Sequence, residues 1–311
     1  MAERQHIPVM LDEAVEGLAV RAGGRYLDGT FGRGGHARAV LSRLGPDGRL
    51  LLMDRDPLAI ASAQKEFGAD PRVSIRHANF STLAEWDETA VGLDGVLLDL
   101  GVSSPQLDEA ARGFSFMADA PLDMRMDPTQ GESAADFLAH ADEREIADVL
   151  WIYGEERFSR KIARVIVERR QETPITRTGE LAALVERVIG RREPGKHPAT
   201  RTFQALRIRV NGELQALKHG LEAALDRLNP GGRLSIISFH SLEDRMVKQF
   251  IRDHSGRVQG SRRGPPVVAA PAKLAAVGKA QFPSGAEQSA NPRARSAVLR
   301  VAQKVLQESS A

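Results

Sequence analysis

One stretch constrains this chain more than any other: Tyr26-Leu27-Asp28-Gly29-Thr30-Phe31-Gly32-Arg33-Gly34-Gly35-His36. It reads as the end of a buried strand, a glycine-rich turn and the start of a helix. Glycine lacks a Cβ and tolerates positive φ, so such a turn lets a ligand come close to the backbone. Gly32 to Ala37 has the G-x-G-x-x-A spacing of a dinucleotide fingerprint, and Asp54 ends the next apolar run, Leu50 to Met53. A carboxylate at that strand end accepts hydrogen bonds from both hydroxyls of a ribose. The first two βα units therefore predict an adenosine-type ligand on a Rossmann-like sheet.

Asp28 narrows the choice of ligand. A carboxylate just before the loop repels a pyrophosphate and attracts an ammonium. S-adenosylmethionine carries an ammonium and a sulfonium, so acids at two successive strand ends favour it over a nicotinamide dinucleotide. The competing reading is that Asp28 only caps the turn. Asn79-Phe80 follows the third predicted strand, where an aromatic flanks the adenine in this fold class or simply joins the core. Asp99 ends the fourth strand, and ligands bind beyond the carboxyl ends of such strands.

Apolar runs alternate with helical patterns through the first third of the chain, which argues for a doubly wound α/β sheet. Strands are expected near 25–27, 49–54, 72–76 and 94–98. Asp12 is placed as the cap of the first helix, Ala37 to Leu44 as the second helix, and Asp56-Pro57 as N-cap and first residue of the third. The alternation stops near Pro105. Residues 105–211 show helical periodicity and read as an inserted subdomain, splitting the sheet domain into 1–104 and 212–311. A helix over 214–228 resumes it, with Asn229-Pro230-Gly231-Gly232 ending that helix before a strand over 233–239. Ser241 is placed as the next cap with Asp244 at N3. Residues 256–291 read as a flexible basic segment, and 296–301 as a final strand.

The chain has 311 residues, which favours two domains or one with a large insertion. Net charge is only +2, so no global field announces a nucleic-acid partner. It contains no cysteine, which excludes disulfides and thiolate metal sites and fits a reducing cytoplasm. No run approaches the length of a membrane span or a signal segment, so a cytoplasmic protein is expected. No His/Asp/Glu group has metal-ligand spacing, and no obligatory metal is expected. Nothing in the sequence decides the oligomeric state.

Long, ungapped motifs carry a resemblance. Asp28 to His36, Asp54-Arg55-Asp56-Pro57 and Leu98 to Leu107 resemble the bacterial 16S ribosomal RNA cytosine-N4 methyltransferases, the ribosomal small-subunit methyltransferase H family. So do Arg112 to Phe116, Pro121 to Met126, Tyr153 to Phe158, His197 to Gln204, Ser238 to Arg245 and Asn291 to Ser296. The resemblance implies a class I methyltransferase with a helical insertion for substrate recognition. It implies methyl transfer from S-adenosylmethionine to the N4 amine of a cytidine in the decoding region of 16S rRNA, within the small ribosomal subunit. Carried over by motif position, Gly34, Gly35, His36, Asp54, Phe80, Asp99 and Gln106 are expected to contact the cofactor.

The cytosine amine is a poor nucleophile, because its lone pair is delocalised into the ring. Catalysis must hold it in line and accept hydrogen bonds from it. Asp99, or a Ser104 or Pro105 hydroxyl or carbonyl, is the candidate acceptor. The amino-methyltransferase pattern of a short polar residue followed by Pro-Pro and an aromatic is absent. Phe114 and Phe116 are candidates to stack on the base, or else pack the insertion. Residues 191–209 hold six basic residues and one acid. With Arg112, His197, Arg201 and Arg207, this stretch is a candidate RNA-facing edge or a solvated helix face. His240 is a candidate base or RNA contact, or a buried, satisfied histidine. Two other readings stay open: a nicotinamide-dependent oxidoreductase, and an RNA-binding assembly factor without catalysis.

Overall fold

A computed structural model describes residues 8–190, 197–256 and 271–306. The chain divides into two compact units, Met1–Gly101 with Leu214–Ala311, and Val102–Glu213.

The first unit is an α/β sandwich. In chain order it begins with α1 (Leu11–Leu18), β1 (Arg25–Asp28), α2 (Gly35–Leu41), β2 (Arg49–Asp54), α3 (Pro57–Phe67), β3 (Val73–His77) and β4 (Leu93–Asp99). The chain then builds the second unit from α4 (Ser104–Asp108), α5 (Ala134–His140), α6 (Glu143–Gly154), α7 (Ser159–Glu172), α8 (Thr178–Ile189) and α9 (Thr200–Asn211). It resumes the sandwich with α10 (Glu213–Arg227), β5 (Leu228–Ser238), α11 (Ser241–Asp253), β6 (Leu274–Ala276), α12 (Gly285–Ala290) and β7 (Val298–Lys304). No helix of the described residues is long and apolar enough to cross a membrane.

The seven strands lie in the order β3-β2-β1-β4-β5-β7-β6. β3 to β5 run parallel, while β7 is antiparallel to both β5 and β6. Side chains alternate across a strand, so a sheet covered on both faces reads as a continuous apolar run. Tyr26, Leu50, Leu52, Leu97 and Ile237 enter one core with Val15 and Leu18 of α1, Val40 of α2 and Phe67 of α3. Leu27, Leu51, Met53, Val96, Leu98 and Ile236 enter the other with Leu217 and Leu221 of α10 and Val247 of α11. The strand order reverses at β1, whose neighbours are β2 and β4. That places a crevice at the carboxyl ends of those strands.

The second unit is helical around its own core. Ile146 and Leu150 of α6, Ile162 and Ile166 of α7, Leu181 and Val185 of α8 and Leu206 of α9 sit on single helix faces and are all fully buried. The buried Asn211 side chain fastens the loop before α5. It accepts from Met126 N at 2.8 Å and donates to Met124 O at 2.7 Å.

Several local expectations are corrected. Met10, not Asp12, precedes the first helical residue, with left-handed backbone (φ 50°) and no side-chain cap. Its amide instead donates to Glu287 Oε1 at 2.7 Å. α2 starts two residues earlier, directly on Gly35, and ends at Leu41. Asn229 to Gly232 belongs to β5, whose pairing to β4 is offset between Leu93 and Gly95. The segment read as flexible contains β6 and α12, and residues 257–270 of it lie outside the described residues. The cap of α11 is His240 with Glu243 at N3, one residue earlier than the Ser241–Asp244 assignment. Asp56 caps α3 as expected, accepting from Leu58 N at 3.0 Å ahead of Pro57.

Candidate active site

The parallel strands end on Asp28, Asp54, His77, Asp99 and Ser238. Their shared direction brings these side chains to one edge. The glycine loop is laced to both neighbouring strands there: Gly29 N donates to Leu97 O at 3.0 Å, and Phe31 N to Met53 O at 3.2 Å. Thr30 Oγ1 accepts from the Asp99 amide at 2.6 Å, tying the loop to the end of β4.

Gly34 caps α2 with φ 72°, a conformation that L side chains rarely adopt. A Cβ on Gly35 would stand 1.9 Å from Pro8 Cγ, so the helix start packs too closely there for any side chain. His36 is buried, and its Nε2 lies 3.2 Å from Val9 O. A carbonyl only accepts, so Nε2 carries the proton. Nδ1 then faces Asp99 Oδ2 at 3.7 Å.

Asp54 fixes the loop from the side of β2. Its Oδ2 accepts from Gly32 N and its Oδ1 from Asp56 N, both at 2.8 Å. Burial pushes this carboxyl up to about 6, against the pull of those two amides. Asp28 is 2% exposed; its Oδ1 accepts from Thr30 N at 3.0 Å, while Oδ2 has no hydrogen-bond partner. Burial pushes it up to about 7, and the Asp54 charge adds to that rise. Asp99 is raised well above the ordinary carboxylate range, first by burial and then by the charges of Asp28 and Glu243, and its Oδ1 also lacks a partner. Two buried acceptors without donors at one edge constitute an unmet demand for a cation or N–H groups.

Phe80 lies against this loop. Its Cβ is 3.0 Å from the position a Gly29 Cβ would take, and its ring packs on Gly220 of α10, where a Cβ would be 2.4 Å away. It is half-buried and borders the second core, which is the packing role among the two the sequence left open. His240 is committed to the helix start: Glu243 N donates to its Nδ1 at 3.4 Å, and its Nε2 lies 3.1 Å from Glu243 Oε1. The His240 side chain is 8% exposed, and its Nε2 makes no hydrogen bond.

Sequence reasoning missed two members of this edge. Thr30 is the hydroxyl that holds Asp99's backbone. Glu243 is 2% exposed and accepts from Phe239 N at 2.8 Å and His240 N at 3.3 Å. A Glu three residues after a polar residue at a strand end is the signal that marks it.

The remaining candidates belong to the helical unit. Ser104 is buried at the first position of α4 beside Pro105, and Gln106 Oε1 accepts from Ser103 N at 3.0 Å in a capping box. The carboxamide assigned to the cofactor thus already serves a helix start. Phe114 is buried in the helical core and presents no face to a base. Phe116 is half-buried, stacked on His197 at 4.6 Å and edge-on to Phe203 at 4.9 Å. Arg112 donates to Met126 O at 2.8 Å, and Arg207 is held by both Glu213 oxygens at 2.8 Å, so both serve structural contacts. Arg201 is half-buried on α9, and 191–196 of the basic stretch lie outside the described residues.

Comparison with known proteins adds to this geometry. The curated protein "Ribosomal RNA small subunit methyltransferase H" of Stenotrophomonas maltophilia strain K279a is 60% identical over 299 residues, covering 96% of this chain and 93% of that one. Proteins with the same name from Alcanivorax borkumensis and Xylella fastidiosa strain M23 are each 59% identical, over 302 and 305 residues, with 96% of this chain and 97% of each relative covered. The profile described as the MraW methylase family matches residues 3–305, so the chain is a member of the MraW methylase family.

Proposed function

We propose that this methylase modifies ribosomal RNA of the small subunit, and that the acceptor is the exocyclic N4 amine of a cytidine in the decoding region. S-adenosylmethionine is the methyl donor; when bound, it supplies an electrophilic methyl group on a cationic sulfur. Membership of a methylase family sets aside the nicotinamide oxidoreductase that the glycine spacing left open.

The observation that carries the chemistry is the pair of buried, unpartnered oxygens, Asp28 Oδ2 and Asp99 Oδ1. They suit a ligand that brings an ammonium and a substrate that brings an amine. The relatives' names support ribosomal RNA as the substrate class. In this reading Asp28 receives the ammonium, and Asp54 receives the ribose hydroxyls with the acceptor capacity that Gly32 N and Asp56 N leave. Gly34 and Gly35 allow the tight turn and close packing that set the course of the loop beside the ligand, and Phe80 borders the adenine.

Asp99 accepts from the cytosine amine and draws its nitrogen toward a tetrahedral shape. Its carboxyl can then take the proton the amine loses, since burial and two like charges favour the protonated form. His36 Nδ1 faces the same carboxylate at 3.7 Å. The helical unit recognises the RNA. The base must leave its stack, or already be single-stranded, to reach the methyl group.

The test is methyl transfer to small subunits purified from a strain lacking its own such enzyme, followed by nucleoside mass spectrometry. N4-methylcytidine is the expected product. Methyl on another base or atom would overturn the acceptor assignment, and no transfer to subunits at any assembly stage would overturn the reading altogether.

A further inference from the structure

The turn between α6 and α7 gathers features that the cofactor edge does not use. Trp151, Ile152 and Phe158 are 58%, 55% and 45% exposed. Large apolar side chains left open together mark an interaction surface. Trp151 and Phe158 line a cavity of about 460 Å³, together with Arg157, Arg160 and Lys161. Arg157 and Arg160 have no ion-pair or hydrogen-bond partner among the described residues, and all three basic side chains are exposed. The acid on the rim, Asp148, faces Arg144 at 3.8 Å.

The turn itself is built firmly. Glu155 ends α6 in left-handed backbone, and the buried Glu156 accepts from Phe158 N at 2.9 Å. Gly154 lets α6 cross α9 closely, since a Cβ there would stand 2.6 Å from Arg201 O. The aromatic pair is thus presented by a fixed frame.

Aromatic faces beside two uncommitted guanidiniums, with Lys161 donating to Val188 O at 3.4 Å next to them, are the combination that single-stranded nucleic acid needs. Bases stack on the rings while the charges follow the phosphates. A second copy of this chain would bring the same three cations against themselves, and the charge therefore favours a polyanion. We propose that the cavity of Trp151, Phe158, Arg157, Arg160 and Lys161 docks an unstacked nucleotide of the RNA substrate, as a holding site on the helical unit. This proposal rests on the ribosomal-RNA reading for the identity of the strand, but its binding test does not depend on catalysis.

The chain has two tryptophans, so Trp86→Phe leaves Trp151 as the sole indole reporter in the full-length protein. Titration with oligouridylate of about ten nucleotides should quench Trp151 fluorescence. The double variant Arg157→Glu/Arg160→Glu should weaken that binding by about tenfold or more and lower the salt slope by about one to two. It should also raise KM for small subunits, with unchanged affinity for S-adenosylmethionine by calorimetry serving as the folding control. Unquenched Trp151 together with an unchanged KM overturns the proposal. So does Trp151→Ala converting a dimer to a monomer while oligonucleotide affinity stays the same, since the partner is then a second copy. Quenching without methyl transfer by the parent protein would sink the function proposed above and leave this site standing.

Discussion

Nδ1 of His36 stands 3.7 Å from Oδ2 of Asp99 while the other nitrogen of the ring is committed to the carbonyl of Val9. The imidazole cannot change tautomer without losing that bond, so in its neutral form it turns a lone pair, not an N–H, toward the carboxylate. On the reading proposed above, Asp99 is the group at this edge that takes the proton the amine loses.

Asp99→Asn tests this directly. The amide keeps the size of the side chain but cannot take a proton. Single-turnover methyl transfer should fall by about a hundredfold or more, with cofactor affinity changed by less than about tenfold. Equal losses in both measurements would move Asp99 from chemistry to binding.

Asp28 governs the pH response. Its folded-state value is about 7 against the ordinary 3.8, and Asp54 is shifted the same way to about 6. Between 3.8 and those values the folded chain holds protons that the unfolded chain has released, so ligand-free stability falls as pH rises through this window. A cationic ligand prefers the ionised form, so cofactor affinity should rise over the upper part of the same window, with proton release. Calorimetry in buffers of different ionisation enthalpy reads that release. Asp28→Asn should remove most of it and weaken the cofactor by about ten- to a hundredfold.

Gly34→Ala puts a Cβ 2.7 Å from the Phe31 ring at φ 72°. Backbone strain there costs about 1–2 kcal/mol, before Phe31 is displaced from its edge-on contact with Phe67 at 5.9 Å. Thermal denaturation should show the loss, and cofactor affinity should drop with it.

Glu243→Ala removes the acceptor for two backbone amides at the start of α11. A stability loss of about 1–3 kcal/mol is expected in urea denaturation. Asp99 should also become more acidic, because one of the charges that raises it is gone. A shift of the acid limb of the pH–rate profile to lower pH checks this.

What the sequence made legible was whatever local chemistry decides. The alternating sheet faces follow from runs such as Leu50 to Met53, and the α3 cap follows from Asp56-Pro57, because each is specified within a few neighbouring residues. Asp28, Asp54 and Asp99 could be placed at one edge because parallel strands end together. What escaped depended on distant partners. Met10 needs no side-chain cap because Glu287 reaches its amide. β6 is three residues long and gains its identity from pairing to β7. His240 is an unusual cap, made effective by Glu243 reaching back. Phe114 and Phe116 stand two residues apart in one motif, and only tertiary packing separates the buried ring from the half-open one.

The strand order carries a consequence for biosynthesis. β4 is complete at Asp99, but its outer neighbour β5 begins at Leu228 and the antiparallel edge closes only with β7. As the chain emerges from the ribosome, β4 therefore waits as an open hydrogen-bonding edge while the whole helical unit is translated. That unit has its own core and can fold during the interval. Truncated chains ending before Val298 would leave β5 as the new unpaired edge, a template for intermolecular pairing.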